Sequence, residues 1–137
     1  MNKKIIAILF LLIMFFPVGF LLAEESVLNG TVTPFLKSLQ TGKISSITRY
    51  VSGQLKQNME LAFKKNRDYG NFLRGRYDGA TFTATTLQQG NKQEIVQVDV
   101  IYSGGQTSTF ELLVQQDSDG RWHVTEQYLS GRRPHRR

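Results

Sequence analysis

Glu94-Ile95-Val96-Gln97-Val98-Asp99-Val100-Ile101-Tyr102, followed by Ser103-Gly104-Gly105-Gln106 and then Thr107-Ser108-Thr109-Phe110-Glu111-Leu112-Leu113-Val114-Gln115, decides the fold of this chain. In an extended strand successive side chains point to opposite faces. Val96, Val98 and Val100 therefore share one face, and Gln97 and Asp99 share the other. Ser103-Gly104-Gly105 reads as a turn, and the second run resumes the alternation. Antiparallel partners must point the same way, so the turn length can be tested. A two-residue turn at Gly104-Gly105 sets Val98 against Glu111. A three-residue loop over 103–105 sets Val98 against Phe110 and Val96 against Leu112. The second keeps the apolar set together and is the expected register.

The pattern extends in both directions. Asp117-Ser118-Asp119-Gly120 is a strong turn signal, and Arg121 to Tyr128 reads as a further strand. A five-residue loop over 116–120 pairs Leu112 with Val124 and Val114 with Trp122. That register places Glu126 beside Phe110 on the apolar face, where a carboxyl would be partly desolvated. It also puts Ile95, Leu113 and His123 on one rung of the opposite face. Upstream, Thr81 to Leu87 reads as the first strand, and Gln89-Gly90-Asn91 as a turn. Before residue 80 the period changes from 2 to 3.6. Thr33-Pro34 reads as a helix start, Phe35, Leu36 and Leu39 as its buried stripe, and Gly42 as its cap. Ile44, Ile47, Tyr50 and Val51 form a second short helix. Leu55, Met59, Ala62 and Phe63 form a third, ended by Lys64-Lys65-Asn66. Tyr69, Phe72, Leu73 and Tyr77 form a fourth, which Asp78-Gly79 turns into the sheet.

Helices followed by an antiparallel meander make an α+β fold. The expected form is a curved four-stranded sheet, a cone, with the N-terminal helices packed on its concave face. Phe35 to Ile44 is similar to the opening helix and glycine turn of the nuclear transport factor 2-like superfamily. Asp68-Tyr69-Gly70-Asn71-Phe72-Leu73 with Tyr77-Asp78-Gly79-Ala80 resembles its last helix and exit. Asp119-Gly120-Arg121-Trp122-His123-Val124 resembles its acidic-Gly-Arg-Trp entry to the final strand. The resemblance covers about residues 33–128 and lies nearest to small exported bacterial members of unknown function. It implies a cone, often with a cavity at the open end, and frequently a homodimer through the outer sheet face. Its members include enzymes and non-catalytic binding modules, so the fold does not fix an activity.

The ends of the chain speak of address. Met1-Asn2-Lys3-Lys4 is basic, and Ile5 to Ala23 runs 19 residues without a charge. Residues 1–23 read as a signal peptide, which implies export to the periplasm or outside. The alternative is an uncleaved inner-membrane anchor over residues 5–23, because that length just spans a bilayer. Residues 24–32 read as a lead-in, 33–129 as the domain, and 130–137 as a disordered Arg-rich tail. The formal net charge of +6 over 137 residues sits in these ends. Between Glu24 and Gly131 the acidic and basic residues are equal in number, so nucleic acid is not an expected partner. The chain has no Cys and only two His, which excludes thiolate chemistry and leaves no expected metal or cofactor.

No matching acid–base set is legible. Asp99 and His123 fall on the polar face without a cleft. Tyr50, Tyr69, Tyr77, Phe110 and Glu126 are the candidate lining of a cavity for a small apolar ligand. Ile95, Leu113 and His123 are the candidate homodimer interface, an apolar centre with a polar surround. The expected function is an exported, non-enzymatic ligand- or protein-binding module. The alternative is a small cone-fold enzyme that uses Glu126 and cavity tyrosines on an apolar substrate.

Overall fold

The computed structural model describes residues 27–130. The leader or anchor and nearly all of the Arg-rich tail lie outside the described residues. A π-helical turn, Leu28–Val32, runs directly into α1, Thr33–Thr41. Then come α2, Ile44–Ile47, with a 3-10 turn Thr48–Tyr50, α3, Gly53–Lys65, and α4, Tyr69–Tyr77. The strands are β1, Thr81–Gln89, β2, Gln93–Ile101, β3, Thr107–Gln116, and β4, Trp122–Leu129. They form one antiparallel sheet in the order β1-β2-β3-β4.

The helical entry differs from expectation. Thr33 does not cap a helix start. The chain is helical from Val27, and Val27, Thr31 and Val32 are buried within the stretch read as a lead-in. The Thr33 N–H donates to the Leu28 carbonyl, one residue beyond the α spacing. Pro34 lacks an N–H and crowds the preceding turn, and widening that turn accommodates it.

The core lies between the helices and one face of the sheet. Val32, Phe35 and Ile47 from the helical part meet Val96, Val98, Val100, Leu112, Val114 and Val124 from the sheet, each essentially without solvent access. Each such side chain contributes about 1.5–3 kcal/mol through removal from water. Gln40 ties the layers together, donating to the carbonyls of Tyr77 and Ala80 at 3.1 Å each. Thr31 Oγ1 donates to the Trp122 carbonyl at 3.3 Å.

The β2–β3 register is the expected one, with Val98 opposite Phe110 and Val96 opposite Leu112. The β3–β4 register is not. Val114 pairs with Val124 rather than with Trp122, which lies opposite Gln116. The loop begins one residue later because Asp117 organises it. Its Oδ1 accepts from the N–H groups of Asp119 and Arg121 at 2.9 and 3.0 Å. Thr125 is then an extra residue, so the register jumps and Leu113 pairs with Glu126. A bulge of this kind reverses the facing of everything after it. Beyond its pairing with β3, β4 meets Val51 in a parallel bridge, and the Ser52 N–H donates to the Val124 carbonyl at 3.1 Å.

Candidate functional site

The five candidate cavity residues do not converge. Tyr77 is buried, tilted against Phe82 with ring centroids 5.7 Å apart and stacked on Tyr102 at 6.1 Å. Burial pushes its hydroxyl above the ordinary value of 10, and the Arg76 guanidinium beside it pulls partly the other way. Arg76 lies over both the Tyr77 and Tyr102 rings and donates to the Tyr102 hydroxyl at 3.2 Å. Tyr69 instead sits between Phe63 and Phe72, edge-on to the first at 5.1 Å and stacked on the second at 6.0 Å. Tyr50 packs on the margin of the core, and Phe110 is buried between Val98 and Leu129. Glu126 is on the other side of the sheet, because the Thr125 bulge turns it to the rung of Leu113 and Ile95.

An acid does lie on the helix-facing side. It is Glu94, which shares a rung with Val114 and Val124 and is only 4% exposed. Desolvation raises its pKa above the usual 4.5. The alternation that places Val96 inward places Glu94 inward too, so the signal stood in the sequence. Val96, Val98, Val114 and Val124 are buried on the same face of the sheet. A cleft of about 190 Å³ among the described residues lies elsewhere, at the β1–β2 turn. Gln88 to Gln93 and Ile95 line it, and Lys92 is their sole charged group. Among the described residues no group of three His, Asp or Glu is placed to hold a metal ion.

The outer face of the sheet is the most organised polar surface. Thr109 Oγ1 donates to Asp99 Oδ1 at 2.8 Å, and Gln97 Nε2 donates to the same carboxylate at 3.3 Å. Thr125 Oγ1 donates to Gln115 Oε1 at 2.9 Å, and Gln115 Nε2 donates on to Gln93 Oε1 at 3.3 Å. Ile95 and Leu113 lie at the centre, 8% and 5% exposed. Their rung is completed by Glu126, not by His123, which pairs with Gln115 and sits 3.6 Å from Asp117. Asp99 and His123 are far apart along the sheet, on the rungs of Thr109 and Gln115. The face also carries Glu111 and Tyr128 on one rung, and it holds no Lys or Arg among the described residues.

This absence belongs to a wider segregation. Residues 27–78 contain nine Lys and Arg against three Asp and Glu, whereas residues 79–130 contain two against six. The helical layer is basic and the sheet acidic. Chain-wide charge counting conceals this, because the two halves nearly cancel.

The architecture has a counterpart among solved structures. A designed nuclear transport factor 2-like protein superposes with a TM-score of 0.57 at 12% identity, over 77% of this chain and 97% of that one. The fold is nuclear transport factor 2-like. At that identity the likeness concerns the arrangement of helices and strands and carries no activity. No protein-family model matches the sequence, and no curated protein matches it. On the helix-facing side of this sheet Val96, Val98, Val100, Phe110, Leu112, Val114 and Val124 are buried, and the hydrogen-bonded side-chain clusters are on the outer face.

Proposed function

We propose that this protein is an exported, non-enzymatic binding module that receives a protein partner with a basic surface on the outer face of its sheet. The observation that carries the reading is the pair of hydrogen-bonded clusters on that face, Gln97 and Thr109 on Asp99 and Thr125 on Gln115, with Glu126 on the rung between them and no Lys or Arg on the face among the described residues. Groups already held in place lose little freedom on binding, and an acidic surface selects a basic one. Export rests on the charge and apolar pattern of residues 1–23. The enzyme alternative has less support, because Glu126 and the tyrosines are on opposite sides of the sheet. A homodimer through this face has less support, because Ile95 and Leu113 at its centre are 8% and 5% exposed and offer little apolar surface to a second copy.

A photoreactive group placed at Thr109 in cells should capture a basic partner, and the same group at Lys56 on the helical side should not. Capture from Lys56 alone would end the reading. Capture of a second copy from Thr109 would convert it to the homodimer.

A further inference from the structure

The sheet has one edge that nothing among the described residues covers. β1 pairs with β2 alone. Its other side presents backbone N–H and C=O groups over Thr81–Gln89, nine residues without a charge or a proline. Edge strands in stable monomers are usually blunted by Lys, by Pro, by shortness or by a covering segment. β1 has none of these before its bulge at Leu87. The residues that precede the bulge are Thr81, Phe82, Thr83, Ala84, Thr85 and Thr86, mostly β-branched or aromatic and suited to a strand.

We propose that β1 is an assembly edge, at which a second copy of this chain adds antiparallel through its own β1 to form a continuous eight-stranded sheet. The chemistry of the edge selects a copy of itself. A twofold axis at Ala84 sets Thr83 against Thr85, hydroxyl beside hydroxyl, on the outer face. It sets Phe82 against Thr86 on the helix-facing side, where Phe82 and Ala84 already pack on the core. Threonine pairs and aromatic–β-branched pairs are favourable cross-strand neighbours. No like charges meet along the strand. The antiparallel sense also brings the Asp78 end of one β1 to the Lys92 end of the other, twice by symmetry, and both residues are exposed. Main-chain hydrogen bonds supply the affinity in strand addition of this kind. This inference uses a different surface from the proposed partner face, so either can fail alone.

The absence of cysteine from the chain gives a clean test. Thr83→Cys and Thr85→Cys are made separately in the full chain, mixed and oxidised. Across an antiparallel pair the two sulfurs come within disulfide reach. A covalent dimer joining the two variants should be the main product. Thr109→Cys, on the outer face, should give only traces. A second variant, Thr85→Lys, puts a charge on the edge at an exposed position that leaves the core untouched. The parent should sediment as a dimer and this variant as a monomer. Cross-linking no greater than that of the Thr109→Cys control would overturn the proposal. So would equal sedimentation of parent and Thr85→Lys, or a monomeric parent with a foreign peptide strand bound at β1.

Discussion

Glu94 holds a carboxyl on the apolar side of the sheet, and its ionisation works against folding. Its pKa is raised in the folded chain by desolvation, so the native state holds the proton more tightly than the unfolded state does. For such a group the stability cost is absent below the unfolded pKa, near 4.5, and grows as pH rises through the folded value. Glu94→Gln should therefore raise the melting temperature at pH 7. The gain over the parent should shrink as pH falls through 4.5. A gain that persists unchanged at pH 3.5 would mean that packing, not ionisation, is responsible. The sequence pattern points to Glu126 for this acid, and the structure puts Glu94 there instead. The alternation of Val96, Val98 and Val100 reaches Glu94 without interruption. Glu126 lies beyond Thr125, where Glu-Gln-Tyr offers no apolar period to reveal a bulge.

At the scale of elements, α1 and α4 meet backbone to backbone. Gly42 ends α1 with φ at +65°, a conformation that side chains disfavour, and its carbonyl faces Gly70 in the first turn of α4. A Cβ on either glycine would run into the other's carbonyl oxygen. Gly70→Ala should thus cost about 1–3 kcal/mol through overpacking. Gly75 is in the same helix with nothing near its Cβ position, and Gly75→Ala should stabilise by about 0.5–1 kcal/mol. Opposite signs from one substitution type in one helix are readable by denaturant unfolding. Equal signs would refute the close contact. The elements themselves were legible, because their stripes are strongly periodic. Two details were not. The π turn ahead of Pro34 leaves no mark in periodicity, and the one-residue shift of the β3–β4 loop depends on which Asp accepts the turn N–H groups.

For the molecule as a whole, charge position counts for more than charge sum. A basic helical layer back to back with an acidic sheet should attract its own kind head to tail when screening is weak. Light scattering should show attraction at low salt that fades as the screening length falls to about 8 Å near physiological ionic strength. A uniformly positive protein would show the reverse, repulsion relieved by salt, and that result would discard the layered description. The sequence held this information in the order of its residues, but only the division of helices and strands into two layers made it visible.

The bridge from Val51 and Ser52 to Val124 sets a limit on growth. It engages the outer side of β4 at Val124, so the two margins of the sheet are unequal. In the language of polymer chemistry, each molecule has a valence of one. Two molecules joined through β1 would each have used the one sheet edge left open among the described residues, and growth would stop at two. Loss of the Val51 bridge would raise the valence to two and turn a self-limiting pair into a monomer for fibres.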